Sequence, residues 1–146
     1  MAPEVSTFRL FLLRATYLLI VVGVGLGMQI WSGVLHPPSD LEHMRGVVRS
    51  MLAAVSLLAM LGIRYPLKML PLLFFELVCK SIWIIAFGLP LWTSNQLTPG
   101  TSETMEACLF GVVLFGLVIP WRYVLATYIK APGDRWRRAT PKVPAT

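Results

Sequence analysis

The stretch PLLFFELVCKSIWIIAFGLPLW, Pro71 to Trp92, decides the fold. A helix needs about 20 apolar residues to cross roughly 30 Å of hydrocarbon, and this stretch is long enough. It nevertheless holds Glu76 and Lys80 among leucines, phenylalanines and tryptophans. Ionisable groups are costly in lipid, so inside a span they face a bundle interior or a cavity and take a partner. The two are four positions apart with the acid first, which puts them on one helix face in the favourable order. At 1.5 Å per residue, Glu76 lies on the order of 9 Å past Leu70 and Lys80 one turn deeper. A segment of this kind requires neighbouring helices.

The rest of the chain supplies them. Spans are expected at about 10–31, 46–63, 70–92 and 105–128. Of the 146 residues, 56% are hydrophobic and only 14% charged, a balance that long apolar runs turn into a membrane protein. The expected fold is all-α, an integral membrane bundle of four transmembrane helices over residues 1–130, followed by a basic tail over 131–146. The third helix is expected to be the most buried, because it carries the pair. The polar segments are too short for a catalytic domain outside the bilayer. The first apolar run is longer than a signal-peptide core and lacks a small-x-small cleavage site after it, so it reads as a retained span. Cys79 and Cys108 fall inside spans and are expected to be buried thiols without a disulfide.

Punctuation and charge give the topology. Ser39-Asp40-Leu41-Glu42 is a capping box that starts the second helix near Asp40. Thr98-Pro99 starts the fourth helix, and Pro132-Gly133 ends it. The few residues around Arg64-Tyr65-Pro66 make the second and third helices an antiparallel hairpin. One set of helix ends carries Arg9, Arg14, Arg64, Lys68, Arg122, Lys130, Arg135, Arg137, Arg138 and Lys142; the other carries Arg45 and Arg49 only. By the positive-inside rule both termini are expected in the cytoplasm, with the loops His36–His43 and Thr93–Thr104 outside. Trp31, Trp92 and Trp121 fall near the expected interfaces. The tail is read as an anchor on anionic headgroups; no nucleic acid is expected as a partner.

The candidate ligand-binding or ion-pathway residues are Glu76, Lys80, Arg49 and Glu106. Arg45 and Arg49, with Glu103 and Glu106, are expected to form interhelical ion pairs at the outer mouth. The rival reading is an anion vestibule leading toward Lys80. Gly23-Val24-Gly25-Leu26-Gly27 mimics a nucleotide loop, but it lies in an apolar helix with no preceding strand. Gly23 and Gly27 instead form a small-xxx-small face for close helix packing, within the bundle or between protomers. His36, Asp40, Glu42 and His43 are metal-capable, but their spacing matches no familiar site; solvated loop and capping roles fit better, and no metal or cofactor is expected. No nucleophile–base constellation is present, so no catalytic residues are assigned.

Arg64-Tyr65-Pro66-Leu67-Lys68-Met69-Leu70-Pro71, followed by Phe75-Glu76-Leu77, Lys80 and Trp83, resembles a pattern of small bacterial four-span proteins of unassigned function. The likeness continues into Trp121-Arg122-Tyr123 and Ala131-Pro132-Gly133-Asp134-Arg135-Trp136. In size and span count the chain is also similar to DoxX-like membrane proteins. The resemblance implies a bacterial inner-membrane setting and brings no activity.

Together these readings give a small non-enzymatic membrane protein acting by binding, as an accessory subunit or a holder of an apolar ligand, with Glu76 and Lys80 as its polar anchor. Its partners would be the bilayer and a larger complex or further copies of itself. Two other classes use the same pair: a proton-coupled carrier, and a membrane-embedded enzyme on a lipid or quinone, with Arg49, Glu106 or Tyr123 as its further titratable group.

Overall fold

The computed structural model describes residues 5–27, 30–36 and 43–132, and these contain helices and no strands. Helix α1 spans Thr7–Ile20 and continues through a π-helical stretch, Val21–Gly27; α2 is Ile30–Leu35. Helix α3 is His43–Arg64. Helix α4, Leu70–Trp83, runs through a second π-helical stretch, Ile84–Gly88, into α5, Leu89–Thr93. Helix α6 is Pro99–Val118, and α7, Trp121–Val124, leads into a third π-helical stretch, Leu125–Ile129. Four continuous stretches are long and apolar enough to cross a membrane: Thr7–Gly27, His43–Arg64, Leu70–Thr93 and Pro99–Val118. The capping box at Ser39–Glu42 and the tail from Gly133 onward lie outside the described residues.

Local chemistry accounts for the breaks. Thr98 caps α6: its hydroxyl accepts from the Thr101 amide, while its own amide donates to the Thr101 hydroxyl. Pro99, at the first helical position, needs no amide partner there. The wide turn Ile84–Gly88 sits just before Pro90, whose ring clashes with the carbonyl four residues back in a regular helix. The fourth span stops at Val118, short of the expected 128. Ile119 is extended, and Pro120 (φ −78°, ψ 80°) makes a tight turn closed by a Trp121 N–H to Ile119 O bond of 2.9 Å. The Trp121 indole N–H then donates to Gly116 O at 2.7 Å, tying the two sides of the break together.

The four spans pack in cyclic order as two hairpins. The first span pairs with α3 along its whole length, and α4 with α6. The hairpins meet through contacts of α1 with α6 and of α3 with α4, while α1 and α4, and α3 and α6, stand diagonally apart. The core lies toward one end, built from Leu13, Tyr17 and Ile20, Val55 and Ala59, Leu70 and Leu73, Phe115, Val118 and Ile119. Tyr17 is fully buried and donates from its hydroxyl to Pro66 O at 3.0 Å, tying the first helix to the turn between α3 and α4. Its ring lies where a side chain on Gly62 would project, so only glycine fits there. At the other end the hairpins part. Among the described residues, Val21–Leu35 touches only α1 and α3, and Ile84–Thr93 touches only α4 and α6.

The third span is not the most buried. It and the fourth bury a smaller share of their residues than the first two. Glu76 finds its partner on its own helix, so α4 does not have to be enclosed on every side. Cys79 is exposed and Cys108 half-buried, both free, so the expectation of buried thiols fails, most clearly for Cys79.

Candidate functional site

Glu76 is 5% exposed, among the few buried polar or charged side chains of the bundle. The Lys80 ammonium donates to Glu76 Oε2, one turn away on α4. The lysine's stem crosses Gly111 of α6, where a Cβ would stand 2.5 Å from its Cδ and 2.6 Å from its Cε. Its Nζ lies 5.4 Å from the centroid of the Phe115 ring, within cation–π range. The pair therefore occupies the seam between α4 and α6, just past the packed core. An ion pair there clamps two helices through one glycine notch. The lysine is 24% exposed against 6% for the glutamate, so it is the partner that still touches the surroundings.

The remaining candidates do not join this pair. Arg49 belongs to the first hairpin, where its guanidinium covers Gly33; a Cβ there would stand 2.8 Å from Nη1. That Nη1 is buried without a hydrogen-bond partner. Glu106 is exposed on α6. The expected ion pairs of Arg45 and Arg49 with Glu103 and Glu106 do not form: among the described residues Glu76–Lys80 is the only salt bridge. The physical reason is the cyclic order, which places α3 and α6 on a diagonal.

Among the described residues Gly23 and Gly27 make no close helix contact. A Cβ on Gly23 would meet nothing within 4 Å, and one on Gly27 would meet only Val22 O at 3.5 Å. The middle glycine does the packing: a Cβ on Gly25 would stand 2.5 Å from Ser56 Oγ of α3 and 3.1 Å from Trp31 Nε1. The wide π-helical turns rotate this face away from the one that regular α-helical spacing gives. Among the described residues no three metal-ligating side chains gather.

Three features escaped the sequence reading. Two are the Tyr17–Gly62–Pro66 lock and the Gly111 notch. The signal for both was a glycine inside an apolar span, with a single tyrosine or lysine at compatible depth in another. The third is a groove between α3 and α4. Two cavities of about 450 and 430 Å³ share Met51, Pro71 and Phe75 and form one apolar channel along the side of the bundle. From α3 it is lined also by Ala54, Val55 and Leu58, and from α4 by Leu72, Phe74, Val78, Cys79 and Ile82. From Pro71 to Ile82 it extends on the order of 16 Å, at 1.5 Å per residue. Glu76 and Lys80 line neither cavity.

No protein-family model, curated protein or solved structure matches this chain. The functional reading therefore rests on geometry.

Proposed function

We propose that this is a non-enzymatic multi-pass membrane protein that acts by holding an apolar ligand, the acyl chain of a membrane lipid, in the groove between α3 and α4. The observation that carries the reading is the groove itself. It is apolar along its length, opens on the side of helices long enough to cross a bilayer, and offers about 450 and 430 Å³ in its two parts. Chain packing against Leu58, Leu72 and Phe75 gains dispersion contacts without desolvating polar groups. In this reading Glu76 and Lys80 anchor the wall rather than the ligand: they fix α4 against α6 and so set the position of the helix that forms one side of the groove. The setting is a bacterial cytoplasmic membrane with both termini inside, as the gathering of cations at one end of the bundle supports. Partners are the bilayer and a larger membrane complex or a second copy of the chain.

Native mass spectrometry of the protein, released gently from its own membranes, tests this. The wild type is expected to carry a reproducible lipid adduct. Ala54→Trp, which fills the groove from an exposed position, is expected to lose it. A bare wild type, or an adduct unchanged in Ala54→Trp, would refute the groove reading.

One observation favours a second reading, a proton-coupled carrier. Lys80 stays partly exposed at mid-span while its carboxylate partner is enclosed, and an ionisable pair inside a membrane-length helix is a candidate for a proton or solute path. Glu76→Gln would then abolish proton-linked flux and leave lipid retention intact.

A further inference from the structure

The turn that joins the two hairpins carries more charge than the fold uses. Arg64 ends α3, and Tyr65 to Met69 lead into α4. The turn is rigid: Tyr65 N donates to Leu61 O at 2.8 Å, Met69 N to Tyr65 O at 3.2 Å, and Pro66 O is held by Tyr17 from below. On this frame the Arg64 guanidinium lies 5.6 Å and the Lys68 ammonium 5.7 Å from the centroid of the Tyr65 ring. Arg14 of α1 joins them around a cavity of about 240 Å³ whose other walls are Leu10, Pro66 and Leu67. Three cations thus converge from two chain segments on one small space. Among the described residues no carboxylate lines it. The nearest carboxylate along α4, Glu76, is committed to Lys80.

Like charges that line one pocket repel, and the ring contacts offset only part of that; among the described residues no anion answers them. The level in the fold says which anion. Arg64 ends one membrane-length helix and Lys68 lies in the turn beyond it, while Arg14, about two turns into another, lines the same pocket; arginine, lysine and tyrosine near such helix ends meet lipid headgroups. The lining is mostly apolar, which suits a phosphodiester with hydrocarbon attached better than a free, fully hydrated phosphate ion. We propose that Arg14, Arg64 and Lys68 form a binding site for the phosphate of an anionic phospholipid, with the Tyr65 ring holding the two turn cations in place. The site deepens the lipid-holding reading above by giving the lipid a headgroup class, yet it stands on separate residues, so each can fail alone.

The test is competition between phosphatidylglycerol and phosphatidylcholine for the full-length protein in detergent, read by native mass spectrometry as the ratio of bound lipids. The wild type is expected to prefer phosphatidylglycerol. One cation near an anionic phosphate is worth on the order of fivefold in binding, so each single change, Arg14→Gln, Arg64→Gln or Lys68→Gln, lowers the preference by about that factor. The triple variant loses it. The charge-keeping pair Arg14→Lys and Arg64→Lys retains most of it, which separates a charge effect from a folding defect. Ala54→Trp lowers retention of both lipids alike and leaves the preference intact, so a failed groove and a failed headgroup site read differently. The control is Arg9→Gln with Arg122→Gln, two cations of a separate cavity of about 530 Å³ at the same end of the bundle. Equal loss of preference in that control would replace the site with a diffuse positive field and overturn the proposal. So would equal retention of the two lipids by the wild type, or full displacement of the bound lipid by millimolar inorganic phosphate, which would make the ligand a free ion.

Discussion

The two ends of this bundle are held in different ways. At the end that contains the Arg64–Met69 turn, all four spans meet: Tyr17 reaches from the first to the turn between the second and third, and Phe115, Val118 and Ile119 close the fourth side. At the far end the spans keep only their hairpin partner, and the close contacts are glycines against side chains of that partner, such as Gly25 against Ser56. The difference shows where a bundle of membrane-length helices gets its specificity. Apolar burial between helices carries little driving force in lipid, so close packing and hydrogen bonds decide which surfaces meet. Here those devices are concentrated at one end.

The contrast can be broken by substitution, and the largest effect is expected at the closed end. Tyr17→Ala removes a fully buried ring and its bond to Pro66, and should cost about 3–5 kcal/mol in a reversible unfolding titration in mixed micelles. Tyr17→Phe, which loses only the hydrogen bond, should cost about 1 kcal/mol. If Tyr17→Ala proves nearly neutral, the closed end is not where the bundle is held.

The ion pair comes next. Glu76→Gln or Lys80→Met alone should cost up to about 3–5 kcal/mol, the range for breaking a buried pair, less for any share of Lys80 that reaches its surroundings. The double variant should recover most of the loss in the same titration, because a well-packed uncharged pair can replace a buried ion pair. Stable variants that lose proton-linked flux in vesicles would instead favour the carrier.

Gly111→Ala intrudes on the Lys80 stem and should cost about 1–3 kcal/mol, the usual range for overpacking. Paired with Lys80→Ala, which removes the Cδ and Cε that the new Cβ would meet, it should cost less than alone. Additive costs in a double-mutant cycle would show that Gly111 does not serve the lysine.

The smallest effect separates two glycines of one motif. Gly25→Ala should destabilise, since its Cβ would meet Ser56 Oγ. Gly23→Ala should be neutral, or stabilising by up to about 1 kcal/mol from lower chain entropy in the unfolded state. If Gly23→Ala instead disperses an oligomer on size-exclusion chromatography with light scattering, the exposed Gly23 and Gly27 face is an interface between copies.

Much of this molecule is written in local sequence. The four apolar runs, the Thr98-Pro99 cap and the tight Arg64–Met69 turn each depend on residues close to one another along the chain, so hydropathy and capping rules find them. The Glu76–Lys80 pair was legible for the same reason: spacing of four on a helix fixes the contact before any tertiary structure exists. The break at Pro120 was also local, yet the apolar residues around it masked the proline.

What crosses from helix to helix was not legible. Sequence placed Arg45 and Arg49 level with Glu103 and Glu106, but depth in a membrane does not say which helices are neighbours, and the cyclic order put them on a diagonal. It marked Gly23 and Gly27 by spacing, but the π-helical turns moved the packing face to Gly25. It could not pair Tyr17 with Gly62, or Lys80 with Gly111, because a notch and the group that fills it lie far apart in the chain. Hydrophobicity is a property of each segment by itself, so the sequence alone determined four helices of membrane-spanning length and their alternating direction. Steric fit is a property of pairs of segments, so only the tertiary structure decided which end closes, where the ion pair points, and that an apolar groove opens between α3 and α4.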